Sequence, residues 1–184
     1  MAMRKMISCA LGTLRRPVGG GGTRPGAAWA SYKAAGASAY QHGDYAEAER
    51  QFSAALKQAD SAGSINRRAA ASLNNLALVY KKQRKLGKAE VFFKSALSAY
   101  EVLEPGGAHV ASVRYNLAGL YRAQGRYAEA APLYKQAIAT TEKVFGKNHP
   151  KLARRLQSYA RLLKKMNRHA PAAEVQSRAT AAVQ

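Results

Sequence analysis

Cysteine is all but missing. Cys9 is the single one in 184 residues, which excludes an intramolecular disulfide and any zinc site built on cysteines. Acidic residues are also scarce: ten Asp+Glu stand against thirty Lys+Arg, a net charge of +20. There is one tryptophan, there are six prolines, and β-branched residues are few. Apolar runs are short, and none approaches the ~18 residues a membrane-spanning helix needs. The longest charge-poor helical stretch, Ala69 to Tyr80, contains two asparagines and ends in Lys81-Lys82. Alanine fills the chain instead, at 39 positions. That excess, with so few β-branched residues, points to closely packed helices and away from an all-β fold. The length suits one domain, or a few short repeats in series, with a real hydrophobic core.

The positive charge is unevenly spread. Residues 1–43 hold Arg4, Lys5, Arg15, Arg16, Arg24 and Lys33 and no acid. From Phe145 onward nine basic residues face only Glu174. A chain this basic repels itself and implies an anionic partner: nucleic acid, an acidic protein surface or anionic lipid.

Residues 1–26 read as a targeting segment and linker. On a helix of 100° per residue, Met3, Ile7, Ala10, Leu11 and Leu14 share one arc, and Arg4, Lys5, Arg15 and Arg16 share the next. An acid-free, arginine-bearing amphipathic N-terminus has the composition of a mitochondrial presequence, with a plastid one as a variant. A secretory signal with Met6 to Leu14 as its apolar core, or a basic tail without structure, are the competing readings. Gly19 to Gly22, flanked by Pro17 and Pro25, form a linker. They are not a phosphate loop, because no strand precedes them and no Lys-Ser or Lys-Thr follows at the required spacing.

Internal repetition organises the remainder. Shifting the chain by 41 residues aligns Ala48, Ala89 and Ala130, then Phe52, Phe93 and Tyr134, then Ala55, Ala96 and Ala137. Asn75-Leu76-Ala77 returns as Asn116-Leu117-Ala118, and Tyr80 as Tyr121. A further shift of 42 carries Ala118, Ala130 and Ala137 onto Ala160, Ala172 and Ala179. A constant period of this size signifies a stacked helical array. Within each unit the apolar spacing is helical, which predicts helix pairs at 27–41/45–61, 66–83/86–103, 108–124/127–145 and 150–166/169–182.

With Gly43-Asp44-Tyr45-Ala46-Glu47-Ala48 and Gly125-Arg126-Tyr127-Ala128-Glu129-Ala130 as turns, the chain resembles the tetratricopeptide-repeat family. Arg84 to Ala89 and Asn167 to Ala172 are weaker copies. The 41–42-residue period and the stretches Leu73-Asn74-Asn75-Leu76-Ala77 and Phe145-Gly146-Lys147-Asn148-His149-Pro150 look like the longer repeats of kinesin light chains. The resemblance implies an all-α solenoid of about four helix pairs over residues 27–184, wound into a right-handed superhelix. It also implies a non-catalytic protein-binding scaffold whose first helices line a concave groove. At the matching positions stand Asn75, Lys82, Tyr115, Asn116 and Arg122. Asn75 and Asn116 are candidates to clamp a peptide backbone or, equally, to bond between adjacent repeats. The carboxylate clamp of chaperone-binding members is incomplete, since Ala37, Ser112 and Asn116 stand where Asn, Lys and Arg would be needed.

No catalytic, cofactor or metal constellation is visible. His42, His109, His149 and His169 fall in or near turns at no ligand spacing, and Glu47, Glu49, Glu90 and Glu129 sit where helix starts and i,i+4 pairs use them. The sharpest surface feature is a stripe in the last repeat: Lys151, Arg154, Ser158, Arg161, Lys165 and Arg168, spaced 3-4-3-4-3. The opposite stripe, Leu152, Leu156, Tyr159, Leu163 and Met166, is its core side. Such a stripe is either a solvated face or, lacking the usual interspersed acids, a site for RNA phosphates or an acidic protein surface. Three functions fit: an accessory subunit of a large mitochondrial assembly such as its ribosome or a respiratory complex, a transient assembly factor or peptide-binding adaptor, and a cytoskeletal protein held on acidic tubulin.

Overall fold

The computed structural model describes residues 25–60 and 66–182, which form eight helices and no strand. They are α1 (Pro25–Gln41), α2 (Tyr45–Asp60), α3 (Arg67–Lys82), α4 (Leu86–Leu103), α5 (Ala108–Ala123), α6 (Tyr127–Phe145), α7 (Pro150–Lys165) and α8 (His169–Ala181). The four predicted pairs are all present, with ends within two residues of expectation. Residues 1–24 of the predicted targeting segment lie outside the described residues.

Helix ends follow side-chain chemistry. The Asp44 carboxylate accepts from the Glu47 N–H (2.9 Å) to cap α2, and Asn66 accepts from the Ala69 N–H (2.9 Å) to cap α3. At α7, His149 Nδ1 accepts from the Lys151 N–H and Pro150 occupies the first turn, where its missing N–H costs nothing. The tight turn inside each pair needs one residue with positive φ. Gly43 (81°) and Gly125 (77°) supply it without strain, while the weaker copies use Arg84 (63°) and Asn167 (58°). The four turns are therefore conformationally equivalent although only two contain glycine.

The chain divides into two compact units, residues 1–99 and 100–184. In the first, α1 packs on α2 and α2 on α3, with α1 also reaching α3. Gly36 lets α1 approach Phe52 of α2 so closely that a Cβ would lie 2.8 Å from the ring. In the second, α5, α6, α7 and α8 pack in succession, and the first helices α5 and α7 also meet. The repeating small residues Ala48, Ala89, Ala118, Ala130, Ala160 and Ala172 have no exposed surface at all. Their aromatic companions Phe52, Phe93 and Tyr134 are buried too. Two expectations need adjustment. Met166 caps the end of α7 and is half-exposed, so the core stripe stops at Leu163. Glu49 forms no i,i+4 pair but reaches from α2 to the end of α3, accepting from Gln83 Nε2 at 2.9 Å with Lys85 Nζ at 3.6 Å.

Candidate functional site

The second unit carries the sharper site. Helix α7 holds six basic residues and no acid. Leu152, Ala153, Leu156, Tyr159, Ala160, Leu162 and Leu163 are buried, while Lys151, Arg154, Arg161, Lys164 and Lys165 are exposed. The predicted stripe is thus one solvent-facing side, continued by exposed Arg168 at the start of α8. Lys151 places its ammonium 4.6 Å from the Phe145 ring centre. Among the described residues, none of Lys151, Arg154, Arg161, Lys164, Lys165 and Arg168 forms an ion pair. Four of the five acids of this unit are engaged elsewhere, Glu101 with Arg114, Glu104 with His109, Glu129 with Arg126 and Glu142 with Arg178, and the fifth, Glu174, is exposed on α8.

The helical wheel also places a charge inside. Arg155 falls between Leu162 and Tyr159 on the buried arc of α7 and is only 5% exposed. Its guanidinium spans three helices: Nη2 donates to Ser112 Oγ of α5 at 2.9 Å, and Nη1 to Thr141 Oγ1 of α6. The Tyr115 ring centre lies 5.7 Å from Cζ. All these partners are neutral, so burial lowers the Arg155 pKa, slightly offset by Tyr115. Thr141 is buried and bonds back to the Ala137 carbonyl. Reading arginine by its charge alone misses this residue; its angular position between two core residues is the signal that finds it.

Beside this lies an aromatic cluster. Tyr115 and Tyr134 meet edge to face at 5.7 Å, and Tyr115 Oη lies 2.9 Å from Ser158 Oγ, joining α5 to α7. Tyr134 is fully buried, and burial raises its pKa, while a hydrogen bond from Arg122 and the nearby charge of Arg161 pull it back. Of the predicted groove residues, Tyr115 packs on Tyr134 and reaches Ser158 of the stripe, while Arg122 is half-buried on the same helix as Tyr115. Asn116 is half-buried on the same helix. Asn75 and Lys82 belong to α3 in the first unit, the former half-buried and the latter exposed at its last residue. There the α1–α3 contact is made by Trp29, whose indole N–H donates to Ser72 Oγ at 3.1 Å, with Lys33 and Arg68 over its ring.

No group of three or more His, Cys, Asp or Glu among the described residues could hold a metal. Among them, too, no helix is long and apolar enough to cross a membrane.

Comparison with known proteins accords with this geometry. The tetratricopeptide-repeat family model matches residues 20–101 and 109–184, and the chain belongs to that family. The function class is accordingly a protein–protein interaction scaffold, in a fold that is typically non-catalytic. No curated protein matches the sequence. Among solved structures, BtubC (BKLC) from P. vanneervenii superposes with a TM-score of 0.79 at 23% identity, covering 98% of this chain and 68% of that one. A kinesin-light-chain-type protein from P. anserina with nearly identical tetratricopeptide-like repeats gives 0.76 at 21% identity, covering 87% and 76%. At those identities the likeness is one of fold.

Proposed function

We propose that the chain is a non-catalytic adaptor that docks an acidic segment of a protein partner on the α7 side of its second unit. The supporting observation is the solvent-facing row Lys151, Arg154, Arg161, Lys165 and Arg168, which carries no acid and makes no ion pair among the described residues. A solvated helix face ordinarily intersperses both signs; this one keeps its charges available. A protein occupant is favoured over nucleic acid because the family's groove is a peptide-binding scaffold. Changing Arg161 and Lys165 to Glu tests the reading. Both side chains are exposed, so melting should be nearly unchanged, while partners recovered by affinity purification and mass spectrometry should be lost. Wild-type recovery from the double variant, or recovery dependent on RNA and abolished by nuclease, overturns it.

The setting we infer is a large mitochondrial assembly, supported by the acid-free, arginine-bearing composition of residues 1–26. That segment fused to a fluorescent protein should direct it into mitochondria, and changing Arg4, Lys5, Arg15 and Arg16 to Glu should leave it in the cytosol. Cytosolic fluorescence with the intact segment refutes the address.

A further inference from the structure

Helix α7 lies between α6 and α8 and packs on both. The side it turns to them is the one opposite the basic row, and a cleft opens there. Lys135, Ile138, Ala139 and Glu142 line it from α6, at a spacing that puts them on one helix face. Leu156 and Tyr159 line it from α7, and Val175 and Arg178 from α8, each pair three residues apart. The cleft has a volume of about 260 Å³ and is open to the surface. Its floor is apolar and well packed from behind: Leu156 is 1% exposed, and Ile138 and Tyr159 are each 7% exposed. The space is left because α8 has little to fill it with. The buried residues of that helix are Ala172 and Ala179, and its largest apolar side chain, Val175, is only half-buried. At the rim, Arg178 Nη2 donates to the Glu142 carboxylate at 3.1 Å and so ties one wall to the other. That bond occupies the one acid lining the cleft. Lys135 is exposed and forms no ion pair among the described residues, so the rim keeps a positive excess.

We propose that this cleft is a second docking site, which takes one phenylalanine-sized apolar side chain of a protein partner together with an acidic residue beside it. Size selects the occupant. A cavity of about 150 Å³ already holds benzene, so this one accommodates a phenyl ring and its methylene. It falls short of the roughly 300–1,000 Å³ of sites that take whole cofactors and similar ligands. Its open mouth lets the remainder of a larger partner stay outside. Charge selects the neighbour, since a carboxylate next to the ring meets the Lys135 ammonium and a lysine there is repelled. An apolar anchor in a pocket, ringed by polar groups, is the arrangement that carries most of the binding energy of many protein interfaces. Cleft and basic row lie on opposite sides of α7, so this site stands independently of the acidic docking proposed above.

The test is methyl NMR on the full chain, where Ile138 is one of only three isoleucines and reports from the cleft floor. Three capped peptides are the probes: Glu-Phe-Glu-Gly, the same with alanine for phenylalanine, and the same with lysine for both glutamates. The first should shift the Ile138 and Val175 methyls saturably and bind about tenfold more tightly than the alanine peptide, as burial of an aromatic ring implies. The lysine peptide should bind more weakly than the first. Ala139→Leu, at an exposed position on the wall, should fill the cleft and abolish the shifts without changing the melting temperature. Lys135→Gln should remove the preference for glutamate over lysine and keep that for phenylalanine over alanine. Arg161→Glu with Lys165→Glu should leave the phenylalanine-to-alanine ratio unchanged, even where it releases an acidic partner from the basic row. Equal binding of the phenylalanine and alanine peptides overturns the proposal, as do shifts that survive Ala139→Leu. Binding of free 3-phenylpropionate as tightly as the first peptide also overturns it, and makes the cleft a site for a small carboxylate instead.

Discussion

Arg155 ties three helices together without a counter-ion. Its side chain fills space between α5, α6 and α7 and satisfies Ser112 and Thr141. Truncation to Ala should cost about 2–4 kcal/mol, from the cavity and from hydroxyls left without a donor. Replacement by Met should cost much less, because swapping a buried charge for an apolar group of similar size is often neutral. Chemical denaturation of the two variants separates these outcomes; equal losses would show that the guanidinium's bonds, not its volume, hold the helices. Glu49 is the corresponding residue of the first unit. Burial pushes its pKa up, but hydrogen bonds from Gln83 and Tyr80 and the Lys85 ammonium outweigh that, and the net shift is downward. Protons therefore bind the unfolded carboxylate more readily than the folded one. The Glu49 contribution is complete above its ordinary value of about 4.5 and is lost as pH falls below it, through the depressed folded value. Denaturation midpoints measured down through that range should drop less steeply in Glu49→Gln than in the wild type.

At the scale of helices, closeness depends on alanine. Ala118 of α5 and Ala130 of α6 are wholly buried. Changing either to Leu should overpack the pair and cost about 1–3 kcal/mol, read as a lowered melting temperature. An unaltered melting curve for both would mean that the repeat's small positions are not contact points. The turns show the opposite tolerance. Arg84 takes the left-handed conformation that Gly43 and Gly125 take freely, because helix packing on both sides outweighs a local cost of roughly 1–2 kcal/mol. A turn signature can therefore fade from the residues while the turn itself persists.

At the scale of the molecule, +20 is the dominant fact. Charges spread over a whole surface attract anionic partners generally, whereas a defined row gives a graded, countable response. Binding of an acidic peptide should weaken steeply as salt rises toward physiological strength, where the screening length is about 8 Å. Arg154→Gln should flatten that dependence, since one fewer exposed cation takes part. A fluorescence titration across ionic strength checks both, and identical salt slopes for variant and wild type would remove Arg154 from the interface.

Helix positions, pair boundaries, buried alanines and the exposed row on α7 were all legible in the chain, because each follows from spacing along a single helix or from a repeat of fixed length. Residues whose partners lie a full repeat away were not. Ser112 meets Arg155, Tyr115 meets Ser158 and Trp29 meets Ser72, each across 43 residues. Periodicity puts such residues on a face but does not say which side chain of the next helix stands opposite. Whether Arg155 points to water or to Thr141, and whether Glu49 pairs within α2 or with Gln83, were decided only when the helices stacked. Stacking sets the distance between side chains on different helices, and hydrogen bonds and desolvation depend on that distance.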